Sequence, residues 1–150
     1  EVRPQNNITR AEVATIFFRL LTDDVRDENL TKTNRYSDVA ATSWYNTAVS
    51  TLSSMGIITG YPDGTFGPQR DITRAETMTL VNRVLNRQPE TEDDLLPNMT
   101  VWTDNANPKA WYYLAVQEAT NSHYYKFKTN SKYEKWTELR ETRDWTLLEK

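Results

Sequence analysis

The chain contains no cysteine and only one histidine, His123. Without cysteine it can form no disulfide, no thiolate zinc site and no cysteine nucleophile. A single histidine also argues against a histidine-based metal site or a Ser-His-Asp triad, so we predict neither a metal nor a cofactor. No apolar run approaches the roughly 20 residues needed to cross a bilayer, and we therefore predict no membrane insertion.

The net charge is also small, at −3 over 150 residues. This charge gives no electrostatic basis for binding nucleic acid or an anionic membrane. Only 37% of the residues are apolar, but five tryptophans, eight tyrosines and four phenylalanines can bury large areas. The chain is long enough to form a hydrophobic core.

One motif occurs twice. Pro4-x-x-x-Ile8-Thr9-Arg10-Ala11-Glu12 matches Pro68-x-x-x-Ile72-Thr73-Arg74-Ala75-Glu76 position for position. Thr-x-x-Glu predicts a capping box, in which the threonine oxygen accepts from the glutamate N–H and the carboxylate accepts from the threonine N–H. The arginine then takes the first helical position, where the helix dipole disfavours a cation by about 0.3–1 kcal/mol. Two arginines in this unfavourable place indicate a repeat.

Before the second copy, residues 60–66 read Gly-Tyr-Pro-Asp-Gly-Thr-Phe. Pro62 presets its own φ, and Gly64 tolerates a positive φ, so Tyr61–Gly64 is predicted to form a β-turn. The sequence therefore predicts a tight turn, then a loop, and then a helix that begins at Thr73.

Apolar periodicity predicts three helices, at residues 9–21, 44–55 and 73–86. Gly56 is predicted to end the second helix, because a glycine often follows the last helical turn. The polar residues 22–35 show no clear period and are predicted to be a connector. The fold class predicted from these segments is mainly α.

A third copy begins and then departs from the pattern. Trp102-Thr103-Asp104 repeats Tyr36-Ser37-Asp38, and Trp111 repeats Trp44, but no second Gly-Tyr-Pro-Asp-Gly-Thr-Phe follows. Instead, residues 124–136 alternate aromatic and charged side chains around a Thr-Asn-Ser turn, which predicts a C-terminal β-hairpin. The acidic, proline-bounded stretch before this copy, 87–100, is predicted to be a linker, and the charged end, 140–150, a tail packed onto the body.

Together, Tyr36-Ser37-Asp38-Val39, Trp44, the run 56–66 and Ile72-Thr73-Arg74-Ala75-Glu76 resemble one whole repeat of the S-layer homology (SLH) domain, a bacterial cell-wall anchoring module. The resemblance implies SLH repeats in a pseudo-threefold helical bundle with grooves between neighbours. It divides the chain into the end of repeat 1 with a connector (1–35), repeat 2 with a linker (36–100), and a degenerate repeat 3 (101–150). Because the chain opens inside a repeat, we expect a fragment of a longer secreted protein, with possible self-association through the truncated repeat.

The resemblance further implies non-catalytic binding of secondary cell-wall polysaccharide, commonly through a pyruvylated amino sugar. This would hold the parent protein outside the cell, at the bacterial cell wall or S-layer. In the implied site, one groove combines an arginine with the aspartate and tryptophan of the next repeat. The implied ligand-binding residues are Arg10 with Asp38 and Trp44, Arg74 with Asp104 and Trp111, and the backbone near Gly60. We predict two working grooves and an altered third.

Each of these residue types also has a purely structural interpretation. The two arginines could receive an anion at a helix N-terminus or could form ion pairs between repeats. The two aspartates could cap helices instead of holding sugar hydroxyls, and the two tryptophans could be core residues. Gly60 could serve the turn alone or admit a ligand to the backbone.

Two other functions are possible. The helices could form a structural or protein-interaction cap that binds no glycan. Asp38, Asp63, Glu76 and Asp104 could supply the carboxylate pair of a glycoside hydrolase. However, Asp63 is already explained by its turn and Glu76 by its capping box. Residues 63–65 are too few for a calcium loop, which spreads its oxygen ligands over about 12 residues.

Overall fold

The computed structural model describes residues 7–141. The chain forms two compact units, Glu1–Thr73 and Arg74–Lys150. The helices and strands are α1 (Arg10–Leu20), α2 (Asp23–Asn29) and α3 (Asn46–Ser54) in the first unit, and α4 (Arg74–Val84), α5 (Tyr113–Thr120), β1 (His123–Phe127) and β2 (Glu134–Leu139) in the second. The second unit also contains two short 3₁₀ helices, Glu92–Asp94 and Thr103–Asn105. The predicted fold class, mainly α with one hairpin, is confirmed.

The first helix begins with the predicted capping box. The Thr9 hydroxyl accepts from the Glu12 N–H at 3.2 Å, and a Glu12 carboxylate oxygen accepts from the Thr9 N–H at 2.8 Å. These bonds satisfy two N–H groups that have no partner inside the helix. They fix the start of α1 at Arg10. The corresponding box at Thr73 stays a prediction.

The prediction of an unstructured connector at 22–35 was wrong, because α2 lies within it. None of its residues is buried, so the helix leaves no apolar period in the sequence. Its stabilisation comes from local charge: two aspartates lie in the first turn, near the positive end of the dipole. Arg26 forms an ion pair with Asp23, one helical turn earlier.

The third helix starts two residues later and ends one residue earlier than predicted, and Gly56 follows its cap as predicted. Gly56 has φ +71° and donates its N–H to the Ser53 carbonyl, while Ile57 donates to the Leu52 carbonyl. This is the Schellman arrangement, which places a left-handed residue directly after a helix. Inside the unit, the core includes Val49 and Leu52 of α3 together with Phe66.

The fourth helix ends in the same way, but with asparagine in place of glycine. Asn86 has φ +55° and donates its N–H to the Arg83 carbonyl, while Arg87 donates to the Asn82 carbonyl at 2.7 Å. Asparagine tolerates this conformation better than most residues do. The turn reverses the chain and directs Arg87 into the interior of the second unit.

The predicted hairpin is present, and it extends to Leu139. The two strands are antiparallel, with Tyr125 opposite Trp136, Lys126 opposite Lys135, and an irregularity in register between Tyr124 and Tyr125. Trp136 packs with Leu95 and Tyr113 in the core of this unit. Most of the predicted tail, residues 142–150, lies outside the described residues.

The stretch predicted as a linker, 87–100, is partly built into the second unit. A capping box at Thr91 starts the short 3₁₀ helix Glu92–Asp94. The Asp94 carboxylate is buried and accepts a hydrogen bond at 3.0 Å from the Lys128 ammonium, which also binds Glu90. This segment is therefore attached to the end of the hairpin.

Candidate functional site

The loop at residues 60–67 is fixed by its own hydrogen bonds. The predicted turn is confirmed, with the Gly64 N–H donating to the Tyr61 carbonyl at 3.1 Å and the Tyr61 N–H donating to the Thr65 carbonyl at 2.7 Å. Asp63 accepts from the hydroxyl and the N–H of Thr65. These two bonds lower the pKa of Asp63. The carboxylate of Asp63 therefore serves the turn.

Asp38 stabilises the far end of the same loop. Its two carboxylate oxygens accept from the Phe66 and Gly67 N–H groups, each at 2.8 Å. No side chain caps α3, which excludes the alternative that Asp38 serves as a cap of this helix. The side chain is exposed, and its carboxylate lies at the surface with both oxygens oriented by the loop.

Gly60 is required by the packing of the loop itself. A Cβ atom at this position would lie 2.4 Å from the Thr65 carbonyl oxygen and 2.3 Å from the Tyr36 ring. The Thr65 oxygen belongs to the main chain and cannot move aside without breaking the turn. The absence of a side chain is therefore explained by contacts within the chain.

Arg10 is buried, with 8% of its surface exposed, and it holds the loop from the inside. Its Nε donates to the Phe66 carbonyl and its Nη2 to the Thr59 carbonyl, both at 2.9 Å. The guanidinium carbon also lies 4.9 Å from the Tyr61 ring centre and 4.7 Å from that of Phe66, within the range of cation–π attraction. The first arginine thus links the start of α1 to both ends of the loop.

The second arginine lies in a different environment. Arg74 is exposed, and so is Asp104, which lies in the 3₁₀ helix Thr103–Asn105. Within residues 7–141, neither side chain forms a hydrogen bond or an ion pair. The two copies of the motif therefore hold one arginine that is committed to the fold and one that is available at the surface.

Trp44 and Trp111 share one geometry in the two units. Their exposed fractions are 65% and 66%, which excludes the alternative that they are core residues. Each indole packs edge-on against the tyrosine that follows it, at 5.2 Å and 83° for Tyr45 and at 5.5 Å and 86° for Tyr112. Each lies just before a helix, α3 or α5, and keeps much of its surface in solvent.

The second unit also contains a buried polar cluster, which we call the charge cluster: Arg87, Glu118, His123 and Glu134. Arg87 donates to Glu134 at 2.6 Å and lies 2.9 Å from Glu118. Nε2 of His123 lies 3.2 Å from Glu118 and 3.1 Å from Glu134. A cavity of about 350 Å³ adjoins the cluster, with Arg140 also in its lining.

Sequence reasoning missed the charge cluster, because its members are spread from residue 87 to residue 134. One signal was available. Glu134 lies on β2 two residues before the buried Trp136 and so faces the interior, where a charged residue needs a partner. The sequence contains only one histidine, and it was considered solely as a possible metal ligand or catalytic residue.

Residues 35–78 match the family model described as S-layer homology domain. We call these residues, which are similar to the S-layer homology domain, the SLH segment. The SLH segment contains Asp38, Trp44, Gly60 and Arg74, whereas Arg10, Asp104 and Trp111 lie outside it. None of the helices in residues 7–141 is long and apolar enough to cross a membrane.

The chain is similar over part of its length to several proteins of Acetivibrio thermocellus. Cell surface glycoprotein 1 of Acetivibrio thermocellus is 41% identical over 107 residues, which cover 71% of this chain and 4% of that protein. The cellulosome-anchoring protein of the same organism is 38% identical over 85 residues (57% of this chain and 19% of that protein). Exoglucanase XynX, also from Acetivibrio thermocellus, is 30% identical over 88 residues (57% and 8%). No solved structure matches this chain.

Proposed function

We propose that this chain is a non-catalytic anchor that binds an acidic, pyruvylated secondary cell-wall polysaccharide. The observation that carries the proposal is the repeated exposure of Trp44 and Trp111. A large aromatic ring that stays exposed loses the stabilisation that burial would give, about 25 cal/mol per Å² of apolar surface. When two units expose the same residue in the same geometry, binding is a better explanation than chance. Flat aromatic faces are suited to the C–H faces of sugar rings.

The exposed charge of Arg74 supports an acidic glycan. Arg74 is an exposed cation at the first position of α4, where the helix N-terminus already favours an anion. A carboxylate on the polymer would relieve the unfavourable placement of this arginine. We propose that Arg74 binds this carboxylate, while Asp104 and Trp111 hold the sugar.

In the first unit, the corresponding proposed residues are Arg10, Asp38, Trp44 and Gly60. Asp38 and Trp44 are exposed, and they would contact the polymer directly. The guanidinium of Arg10 is buried against loop carbonyls, so its proposed part is to shape the loop. Gly60 has the same indirect part, since it lets the loop close on Thr65.

The range of relatives supports anchoring over catalysis. A surface glycoprotein, a cellulosome-anchoring protein and an exoglucanase are similar to this chain over 4%, 19% and 8% of their respective lengths. Proteins with such different names could all require attachment to a surface. The chain spans only a small part of these relatives, and the proposed attachment is accordingly a property of the segment.

The test is binding to purified cell-wall polysaccharide before and after chemical removal of its pyruvate. Loss of a hydrogen bond to a charged group is worth about 1.5–3 kcal/mol, so Arg74→Ala should weaken binding about tenfold or more. Trp111→Ala should weaken it as well. Arg19→Ala is the matched control, because Arg19 is an exposed arginine in the last turn of α1.

Three results would contradict the proposal. Equal binding by Arg74→Ala and the unmodified chain would remove the role proposed for Arg74. Equal binding to the polymer with and without pyruvate would show that the acidic group is not what the chain recognises. Release of fragments from the polymer during incubation would show catalysis instead of anchoring.

A further inference from the structure

We propose that the charge cluster is a proton-dependent lock, which holds the hairpin on α5 only while one proton is shared between His123 and Glu134. Two carboxylates and one guanidinium leave the cluster with one excess negative charge when His123 is neutral. One proton, on the imidazole or on Glu134, makes the cluster neutral. Because an uncompensated buried charge is costly, this proton stabilises the folded unit.

The cluster is placed where it can act as a lock. Arg87 follows α4, Glu118 lies on α5, His123 on β1 and Glu134 on β2, so four segments meet at these side chains. The carboxylate of Glu118 also accepts from the indole N–H of Trp136 at 2.8 Å. These contacts therefore connect both strands to the helix.

The imidazole is oriented so that the hydrogen bonds of its second nitrogen, Nε2, depend on whether that nitrogen is protonated. Nδ1 lies 2.7 Å from the Asn121 carbonyl, which can only accept, so Nδ1 carries hydrogen. Nε2 then faces the two carboxylates at 3.1 and 3.2 Å. When protonated, it donates to them; when neutral, it presents a lone pair to two acceptors and can receive only from Arg87, at 2.9 Å. The ring also stacks on Trp136, 3.9 Å between centres, which favours a cationic imidazole.

The shifted pKa values agree with this geometry. Burial by itself lowers the pKa of His123, but its bonds to Glu118 and Asn121 and the nearby carboxylate charge outweigh burial and raise it above 6.5. Burial raises the pKa of Glu134 above 4.5, and Glu118 adds to this while Arg87 opposes it. Burial also acts to raise the pKa of Glu118, but the bonds from His123 and Glu134 lower it overall.

The direction of the pH effect follows from these shifts. The stability that a raised pKa contributes is complete below the unfolded value and is lost as pH rises through the folded value. For His123 this loss begins above pH 6.5, and for Glu134 above 4.5. Glu118, whose pKa is lowered, contributes in the opposite sense and loses its share in acid. The second unit should therefore be most stable in mild acid.

Other charged or titratable groups near His123 are few in the described residues. Tyr125 of β1 lies edge-on to the imidazole at 6.5 Å, and Arg87 lies over the Tyr125 ring at 3.8 Å. Arg140 shares the lining of the adjoining cavity. Both arginines stay charged throughout the relevant pH range, so neither can replace the proton.

A bound metal ion is the competing explanation for this cluster. One ligand atom from each of Glu118, His123 and Glu134 lies within 4.8 Å of the others, which is close enough for a shared ion. Arg87, however, already supplies a cation to both carboxylates. A divalent ion in addition would give the site a net positive charge, whereas one proton gives it none.

His123 is the sole histidine, so its imidazole signals can be followed by NMR without ambiguity. We expect its midpoint above pH 6.5 in the intact chain, and a lower midpoint in Glu118→Gln. Unfolding in urea, followed by the indole N–H signal of Trp136, should need less denaturant at about pH 9 than at about pH 6. This difference should disappear in His123→Gln and persist in Glu138→Gln, an exposed glutamate on β2.

Each other outcome would overturn the lock. A titration midpoint of His123 at or below pH 6.5 in the intact chain would overturn the lock. This measurement needs no variant, so it holds even if His123→Gln does not fold. A pH dependence that is the same in His123→Gln and in the intact chain assigns the effect to other groups. If added Zn²⁺ stabilises the second unit, and a chelator reverses this, a metal site replaces the proposed lock.

Discussion

Arg10→Ala should destabilise the first unit, whereas Arg74→Ala should leave stability nearly unchanged and weaken binding. The two arginines nevertheless occupy the same position in the repeated motif. In Arg10→Ala, the carbonyls of Phe66 and Thr59 lose a charged donor. Each such bond is worth about 1.5–3 kcal/mol, and water can reach the partly buried Thr59 carbonyl more readily than that of Phe66. We expect a loss of about 3 kcal/mol in the free energy of unfolding of the first unit, roughly a hundredfold in the folding equilibrium.

Arg74→Ala removes an exposed side chain with no hydrogen bond or ion pair within residues 7–141, and it should change stability by no more than about 0.5 kcal/mol. Urea denaturation of the two variants measures both values. Hydrogen exchange at the Ala11 amide, which donates to the Pro68 carbonyl, locates the loss in the first unit. Equal destabilisation by the two substitutions would refute the assignment of Arg10 to the fold and Arg74 to the surface.

Two further substitutions test the loop. Gly60→Ala should cost about 1–3 kcal/mol of unfolding free energy, because the added Cβ would lie 2.4 Å from the Thr65 carbonyl oxygen; an unchanged urea midpoint would show that the loop can open without loss. Asp38→Ala should cost about 1–2 kcal/mol, because Phe66 and Gly67 lose their acceptors. Asp104→Ala is its control and should change the free energy of unfolding by no more than about 0.5 kcal/mol. A similar loss in both aspartate variants would contradict the role of Asp38 in holding the loop.

The elements that were predicted well are those fixed by neighbouring residues. The capping box of Thr9 and Glu12, the turn at Pro62 and the stop at Gly56 each depend on a few consecutive side chains, and each is present. The hairpin was also found, because alternation along a strand is a local signal. The helix α2 was missed for the complementary reason: it buries nothing and shows no period.

The environments of the site residues could not be predicted from their neighbours in sequence. Arg10 and Arg74 have identical neighbours in sequence, and only the loop that packs on Arg10 separates a buried guanidinium from an exposed one. The charge cluster likewise depends on strand register, which brings Glu134 beside His123. Repeat boundaries, the ligand-binding residues and self-association stay predictions, since contacts within the chain do not test them.

The two hydrogen bonds that Asp38 accepts from the loop have a consequence for recognition. Its carboxylate orients two successive amides from outside the loop, while Arg10 holds two carbonyls from inside, so the segment between them is braced from both sides. A partner arriving at this surface would meet a rigid edge and would lose little affinity to freezing of the backbone. Discrimination between similar sugars would then depend on shape that is settled before contact.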